Sequence, residues 1–346
     1  MNQKIDLPNI MNNKIIIAVD AMGGENSPKK IVDGIELSLK ESNENFFKLY
    51  GNKDKLNFLV NEKPEIKNYC EIIHCDDHIE DDESPLSAAK KSKSTSMWQS
   101  IESQNKGKSQ ITLSAGNTGA LLILSRLILS MINGIEKPAL AGLWPNKIGM
   151  NVVLDLGANI ECNDKDLIDF SSMGAALYKS LYPVDNPKIA LLNVGLEEIK
   201  GHEEIKKAYQ QLKESTKKNF DFHGYIEGNH IMDGNVNVIV TDGFTGNIAL
   251  KTAEGTANFI TKYLKENLSK GLLNKISLLF SYNVLKRFKE QLDPRKYNGA
   301  ILLGLSGPVV KSHGSTDSRG LANSIKMCNK IVKGKLIEKI KKYLIA

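Results

Sequence analysis

Six short apolar segments of this sequence each lead into a turn built from glycine, asparagine and small hydroxyl residues. Buried parallel strands have this apolar character, and the ligands of α/β sheets bind outside the carboxyl ends of the strands. Glycines in such turns expose backbone N–H groups, which suit an anion such as phosphate. The pattern therefore predicts an α/β enzyme with an anion site. The six units occupy residues 15–24, 111–119, 152–159, 189–195, 238–247 and 301–307.

The turns carry no cofactor fingerprint. No G-x-G-x-x-G follows the first strand, and a G-x-S-x-G nucleophile elbow is absent. Residues 107–109 resemble the end of a P-loop, but Glu102 stands where that loop needs glycine. His74 and His78 flank an acidic segment, yet residues 72–75 are predicted as a strand, whose alternate side chains point to opposite faces. We predict neither a cofactor nor a metal.

One reaction class needs little beyond an anion site, namely the attack of phosphate on an activated acyl group. A thioester releases a thiol with a pKa of roughly 8.5, so its departure needs only modest acid assistance. Catalysis then depends on holding phosphate in line with the carbonyl carbon and on stabilising the oxyanion. Lysine, arginine, backbone N–H groups and asparagine amides can perform both tasks.

The composition of the 346 residues is that of a protein with a sizeable core, since 41% are hydrophobic and 25% charged. The net charge of +6 is mild and spread along the chain, and it fits an acidic protein partner as well as anionic lipid. Only 6% of residues are aromatic, and none interleave with basic residues in a nucleic-acid motif. We therefore predict no nucleic-acid partner.

The sequence predicts a cytoplasmic location. The four cysteines have no paired spacing, which favours a reducing compartment. Residues 1–13 contain no apolar core of signal-peptide length. The longest apolar stretch, residues 120–132, is too short to span a bilayer and indicates a buried helix.

Predicted helices alternate with the strands as far as about residue 250. Such alternation indicates a mostly parallel sheet with helices on both faces, a three-layer αβα sandwich. We predict a flexible leader at residues 1–12 and a single domain over residues 13–346. The predicted helices cover residues 28–41, 87–103, 119–133, 165–181 and 203–215, and after the sheet resumes at residue 299 a final helical region ends in residues 335–343.

Between residues 252 and 292 the alternation breaks, and the pattern predicts a projecting helical hairpin. Apolar residues recur there at helical spacing among lysines and an arginine. An apolar face with basic edges is typical of a helix at a membrane surface, whereas a dimer interface also uses an apolar stripe. We interpret the hairpin as doing both, with its stem in a homodimer and its tip on an anionic membrane. The residues assigned to membrane contact are Leu272, Leu273, Ile276, Leu279 and Phe280.

The turn motifs, in this order along residues 14–330, resemble those of the acyl-carrier-protein:phosphate acyltransferase (PlsX) family. One glycine turn is a weak signal, but six in order are specific. The motifs are AVDAMGG at 18–24, SAGNTGA at 114–120, LDLGAN at 154–159, NVG at 193–195 with EEIKG at 197–201, TDGFTGN at 241–247 with ALKT at 249–252, and YNGA at 297–300 followed by LLG at 302–304 and VKSHG at 310–314.

This resemblance implies a reaction in which long-chain acyl-ACP and inorganic phosphate give acyl phosphate and free carrier protein. The acyl phosphate would feed phospholipid synthesis, with a glycerol-3-phosphate acyltransferase as the downstream partner. The implied fold is like that of isopropylmalate dehydrogenases and phosphotransacetylases, in a homodimer without metal or nucleotide. The implied location is the cytoplasm, peripherally on the inner face of the plasma membrane.

Two other functions stay open from the sequence. A phosphotransacetylase acting on short acyl-CoA would use the same mechanism with another donor, although a small soluble product needs no membrane contact. A scaffold that binds carrier protein or membrane without catalysis would keep the fold, although the intact motifs argue against it.

The resemblance also implies roles for residues in the motifs. Lys200 and Asn247 are the predicted catalytic residues, because an ammonium group neutralises and orients phosphate and an amide donates to phosphate or an oxyanion. Their structural alternatives are a solvated lysine and a helix N-cap. The residues predicted to bind phosphate or substrate are Asp20, Gly23, Gly24, Asn117, Thr118, Gly119, Asn159, Gly243, Gly246, Lys311 and His313.

Three of these predictions carry a qualification of their own. We expect Asp20 to order the first turn rather than to act as a base, because phosphate is already ionised near pH 7. Asn117 opens a predicted helix, whose N-terminus favours an anion. His313 is either the acid that protonates the departing thiol or a hydrogen-bonded structural histidine.

Overall fold

The computed structural model describes residues 14–90, 93–216, 219–268 and 293–344. The predicted leader and the membrane-contact residues Leu272, Leu273, Ile276, Leu279 and Phe280 lie outside these ranges. Eleven strands of the described residues form one sheet. They are β1 (Ile15–Asp20), β2 (Asn45–Gly51), β3 (Cys70–His74), β4 (Ile111–Ser114), β5 (Ala139–Pro145), β6 (Met150–Leu154), β7 (Lys188–Leu192), β8 (Asp221–Ile226), β9 (Val238–Val240), β10 (Ala300–Leu303) and β11 (Val309–Lys311).

The sheet has the order β3-β2-β1-β4-β11-β10-β5-β6-β9-β7-β8. The first five strands in this order are parallel to one another, and so are the last four. Between the two groups, β10 is antiparallel to both β11 and β5, and β5 is antiparallel to β6. Three reversals in a row make the two parallel groups run in opposite directions. The carboxyl ends of the two groups therefore lie at opposite edges of one sheet.

The described residues contain ten α-helices, which pack on both faces of the sheet. Val238 and Val240 of β9 pack into one apolar cluster, while Ile239 packs into another together with Ala249 and Leu250. The prediction of an α/β fold with a mostly parallel sheet is confirmed. The helices are α1 (Lys29–Glu41), α2 (Lys53–Asn61), α3 (Pro85–Lys90), α4 (Ser96–Asn105), α5 (Thr118–Leu129), α6 (Asp164–Leu181), α7 (Glu203–Glu214), α8 (Gly243–Leu268), α9 (Ser318–Lys333) and α10 (Leu336–Tyr343).

Three of the predicted helical segments differ from the structure. The segment predicted as one helix over residues 87–103 is two helices, because Thr95 adopts an extended conformation and caps α4 by accepting a hydrogen bond from Trp98 N (3.3 Å). The hairpin predicted at 252–292 has no boundary at residue 252, since residues 252–268 continue α8. Its remainder, residues 269–292, lies outside the described part of the chain.

The apolar stretch at residues 120–132 forms most of α5, as predicted, but that helix ends at Leu129. Ser130, with φ 59°, turns the chain out of the helix. In the ranges that the structure describes, we find no helix with both the length and the apolar character needed to cross a membrane.

Candidate functional site

The polar residues predicted to form one site divide between the two edges of the sheet. We give the name buried cluster to those at the carboxyl ends of β1, β4 and β11, together with the polar residues packed beside them: Asp20, Lys30, Ser96, Ser114 and Lys311. We give the name open site to those at the carboxyl ends of β6, β9 and β7, which are Asn159, Lys200, Gly243, Gly246 and Asn247.

Asp20 is the centre of the buried cluster. Its carboxylate accepts hydrogen bonds from Ser96 Oγ (2.6 Å) and Ser114 Oγ (2.7 Å), and Met22 N donates at 3.4 Å. Burial raises the pKa of Asp20, and these hydrogen bonds oppose the rise. With both oxygens occupied, Asp20 holds the turn after β1 against the turn after β4. This geometry agrees with the expectation that it orders the first turn.

Two buried lysines, Lys30 and Lys311, belong to the same cluster. Lys30 Nζ donates to Gly314 O (2.5 Å), and Lys311 Nζ donates to Ser312 O (2.5 Å) and Ala115 O (3.3 Å). The pKa of Lys311 is lowered to about 8, mainly by burial and also by the charge of Lys30, while the charges of Asp81 and Asp20 oppose the shift. Both ammonium groups are therefore held on backbone carbonyl oxygens inside the fold.

Lys30 was not among the residues predicted from the sequence. The sequence could have indicated that Lys30 is buried, because Lys30, Gly34 and Ser38 have the i, i+4, i+8 spacing of one helix face, and that face is buried. A lysine on that face buries its ammonium group and must find acceptors there. Gly23 and Gly24 lie in the same turn, and a Cβ on Gly24 would be 2.7 Å from Lys30 Nζ.

His313 follows β11 at the surface of this edge. Its Nδ1 lies 3.0 Å from Ser315 Oγ, and its backbone N donates to Asn298 Oδ1 (3.0 Å). Desolvation lowers the pKa of His313, and the charge of Lys311 adds to the shift. A histidine that is neutral near pH 7 and bonded to Ser315 fits the structural alternative for this residue.

Asn117 has both polar ends of its side chain occupied. Its Oδ1 accepts from Ala120 N (3.0 Å) as the N-cap of α5, and its Nδ2 donates to Asp81 O (3.0 Å) and Glu83 O (2.7 Å). Thr118 is exposed on the first turn, and a Cβ on the neighbouring Gly119 would meet Pro85. Asn117 thus fixes the loop before α3 to the start of α5.

At the open site, the buried Asp155 organises the turn after β6. Its carboxylate accepts five hydrogen bonds, from the backbone N of Leu140 (3.0 Å), Gly157 (3.1 Å), Ala158 (2.9 Å) and Asn159 (2.8 Å) and from Asn159 Nδ2 (2.8 Å). Burial raises the pKa of Asp155, and the hydrogen bonds oppose the rise. Asn159 also donates to Pro138 O (2.6 Å), so its side chain shapes the turn.

Glycines let the first turn of α8 lie directly on this turn. Gly243 N donates to Asn159 O (2.8 Å), and a Cβ on Gly243 would overlap that oxygen. A Cβ on Gly246 would overlap the carbonyl oxygen of Asp155. These two positions therefore require glycine for packing, and the N-terminus of a 26-residue helix is brought to the sheet edge.

Asp242 caps α8, a role that the sequence left open for Asn247. Asp242 Oδ1 accepts from Thr245 N (2.8 Å), and its Oδ2 accepts from Thr245 Oγ1 (2.8 Å). Asn247 lies inside the helix, is exposed, and has its Nδ2 next to the Cα of Gly157. The N-cap alternative for Asn247 is therefore wrong, and its amide is available at the surface.

Lys200 lies at the end of a fixed loop after β7. Asn193 Nδ2 donates to Lys200 O (3.1 Å), Lys200 N donates to Glu197 O (3.0 Å), and the next residue, Gly201, has φ +92°. The Lys200 side chain is exposed, and within the described ranges its ammonium group has no hydrogen-bond or ion-pair partner.

The open site thus combines an exposed ammonium group, an exposed amide and the positive end of a long helix. Because β9 and β7 are neighbours, Lys200 and Asn247 follow adjacent parallel strands at the same edge. Helix N-termini and lysines both favour anions such as phosphate. Helix α8 then crosses the sheet face, since Lys251 and Glu254 lie near enough to His313 to influence its pKa.

Comparison with known proteins agrees with this architecture. Residues 15–339 match the family model described as "Fatty acid synthesis protein". The chain is 58% identical over 331 residues to the phosphate acyltransferase of Pelagibacter ubique, covering 96% of this chain and 99% of the relative. It is 42% identical to the phosphate acyltransferase of Caulobacter vibrioides, covering 93% and 89%.

Solved structures show the same fold at low sequence identity. A phosphotransacetylase from Streptococcus pyogenes superposes with a TM-score of 0.60 at 14% identity, covering 98% of this chain and all of that one. A branched-chain phosphotransacylase from Enterococcus faecalis gives 0.57 at 16% identity, covering 92% and 99%. The prediction of a phosphotransacetylase-like architecture is confirmed.

Fold and relatives together define an α/β acyltransferase, which confirms the prediction of that enzyme class. The chain belongs to the fatty acid synthesis protein family.

Proposed function

We propose that the protein transfers a long-chain fatty acyl group from acyl-ACP to inorganic phosphate, giving acyl phosphate for phospholipid synthesis. The observation that carries the proposal is the pair of exposed polar side chains, Lys200 and Asn247, at the carboxyl ends of adjacent strands beside the start of α8. Relatives named phosphate acyltransferase support the involvement of phosphate in the reaction.

In the proposed mechanism, a phosphate oxygen attacks the thioester carbonyl carbon. A new C–O bond forms, the carbonyl becomes an oxyanion, and collapse of the oxyanion breaks the C–S bond and releases the carrier thiolate, which takes a proton from water. Lys200 neutralises and orients the phosphate, and the Asn247 amide donates to the oxyanion. Asn159, Gly243 and Gly246 hold the turn and the helix start that position Asn247.

The buried cluster has a different part in this proposal. It follows strands of the other parallel group, and its carboxylate and lysines are already bonded to protein groups. We propose that Asp20, Gly23, Gly24, Asn117, Gly119, Lys311 and His313 support the turns of the first parallel group, with Thr118 exposed on their surface.

We further propose that the protein is a single-domain homodimer that binds peripherally to the cytoplasmic face of the membrane. The far half of α8 supports a partner there, because Phe259, Ile260, Tyr263 and Leu264 are exposed on it. The proposed lipid contacts, Leu272 to Phe280, lie outside the described residues. A Leu273→Glu, Phe280→Glu variant is expected to stop sedimenting with anionic vesicles, and unchanged sedimentation contradicts the membrane role.

The reaction is tested by incubating the protein with palmitoyl-ACP or acetyl-CoA, with and without phosphate, and measuring thioester loss. Phosphate-dependent loss of palmitoyl-ACP is the expected result. Turnover of acetyl-CoA alone instead identifies a phosphotransacetylase. Binding of acyl-ACP without turnover of either donor identifies a scaffold.

A further inference from the structure

Exposed apolar side chains lie in the turns and on the helix that carry the open site. Monomeric proteins rarely expose a large contiguous apolar surface unless it contacts a ligand or another molecule. Six side chains at this edge are each between 52% and 81% exposed, although all six are large apolar side chains of the kind that usually pack into a core. We call this set the apolar rim, and it consists of Ile160, Val194, Leu196, Ile199, Phe244 and Ile248.

The topology brings these residues to one edge of the sheet. Strands β6, β9 and β7 are consecutive and parallel, so the segments that follow them emerge side by side. Ile160 comes after the Asp155 turn, Phe244 and Ile248 flank Asn247 on α8, and the other three lie in the loop that carries Lys200.

The loop after β7 is held in one conformation by its own hydrogen bonds. The Asn193 amide spans the loop to Lys200 O, and a Cβ on Gly201 would overlap Asn193 Oδ1. Glu198 ties the loop to α7 through Tyr209 Oη (2.9 Å) and Lys213 Nζ (2.7 Å). Val194, Leu196 and Ile199 are therefore presented to solvent by a fixed backbone, which lowers the entropic cost of binding a ligand.

We propose that the apolar rim binds the hydrocarbon chain of the acyl donor while Lys200 and Asn247 act on its carbonyl end. This inference rests on the proposed function. The chemistry of the edge favours an acyl thioester as the occupant, because such a molecule joins a polar reacting end to an apolar chain, and the exposed polar and apolar residues here belong to the same loop and the same helix. We do not assign the rim to a second copy of the chain, because the far half of α8 offers a separate exposed apolar surface for that contact.

The rim makes the enzyme selective for long chains, and a double substitution in the Lys200 loop tests this. In a Leu196→Ser, Ile199→Ser variant, the ratio of kcat/KM for palmitoyl-ACP to that for butyryl-ACP is expected to fall at least roughly tenfold, the scale of a lost apolar pocket contact. The matched control is Ile148→Ser, since Ile148 is 82% exposed in the hairpin between β5 and β6 at the opposite edge. The control is expected to keep the wild-type ratio.

Three results overturn the inference. The first is an unchanged kcat/KM ratio in the double variant, and the second is an equal fall of that ratio in the control. The third is a change of the double variant's oligomeric state in light scattering, which assigns the surface to a contact between copies. Direct binding of free palmitate separates this inference from the proposed reaction. If wild type turns over no acyl-ACP yet the double variant binds palmitate at least roughly tenfold more weakly, the proposed function fails while the chain-binding surface stands.

Discussion

The buried cluster and the open site both follow parallel strands through glycine-containing turns. The polar groups of the first are buried and hydrogen-bonded within the protein, whereas the lysine and asparagine side chains of the second are exposed. At the buried cluster, Asp20 and both lysines are covered and already bonded to hydroxyl groups or carbonyl oxygens. At the open site, Lys200 and Asn247 are exposed, and the carboxylate that organises the turns, Asp155, lies beneath them.

The difference indicates that a strand followed by a glycine-containing turn serves the fold in one place and substrate chemistry in the other. A lysine that donates to backbone carbonyls must give up those bonds before it can hold a substrate phosphate. An exposed lysine on a fixed loop gives up only contacts with water. A donor as large as a carrier protein also needs an accessible site, which the open site provides. We therefore assign the chemistry to the open site.

The largest expected effect is the loss of catalysis in a Lys200→Ala, Asn247→Ala variant. Removing one preorganised donor to an oxyanion costs roughly 10²–10³ in kcat, so the double variant is expected to lose at least about 10³. The measurement is phosphate-dependent release of ACP from palmitoyl-ACP. Lys207→Ala, an exposed lysine on α7, serves as the control and is expected to keep wild-type turnover. Undiminished turnover in the folded double variant contradicts the assignment of chemistry to this edge.

Next in size is the effect of Gly246→Ala on stability. The added Cβ overlaps the carbonyl oxygen of Asp155, so we expect the free energy of unfolding to fall by about 3 kcal/mol, the upper end of the usual cost of overpacking. Gly255→Ala on the same helix is the matched control, because no atom of the described residues lies within 4 Å of a Cβ there. Because alanine has a higher helix propensity than glycine, this control is expected to raise the free energy of unfolding by about 1 kcal/mol. Equal effects in urea denaturation contradict the close contact between α8 and the Asp155 turn.

The buried cluster is tested by the pH dependence of stability. Because the pKa of Lys311 is lowered from 10.5 to about 8, the unfolded chain keeps a proton between those pH values that the folded protein has released. Unfolding therefore becomes more costly as pH rises through this window, by about 3 kcal/mol in total. Lys311→Met is expected to remove that rise. Parallel curves of unfolding free energy against pH for the two proteins contradict the burial of a titrating ammonium group.

The smallest expected effect concerns Asn117. Loss of an asparagine N-cap costs about 1 kcal/mol, and Asn117→Ala also releases the carbonyl oxygens of Asp81 and Glu83. We expect a lower melting temperature and an unchanged KM for phosphate. A large rise in that KM, with stability unaffected, instead places Asn117 in the phosphate site and weakens the contrast between the two edges.

Local patterns in the sequence predicted most of the strands and the turns after them. The predicted strands β1, β4, β7 and β9 occur within about a residue of the expected bounds, because short apolar runs bounded by glycine have few other conformations. The strand β5, with the sequence ALAGLWP, was missed, since it is poor in β-branched residues and contains glycine and proline. The strand β11 was also missed, since only two of its three residues, VVK, are apolar.

Sequence patterns alone were enough to predict the fold class, the family motifs and the glycines on which α8 rests. The division of the motifs into two groups at opposite edges, the burial of Lys30 and the capping of α8 by Asp242 rather than Asn247 emerged from the three-dimensional arrangement. Strand direction depends on the pairing of β5 and β10 with distant strands. Pairing over such separations leaves no local periodic signal, whereas each strand and each turn is specified by its own few residues.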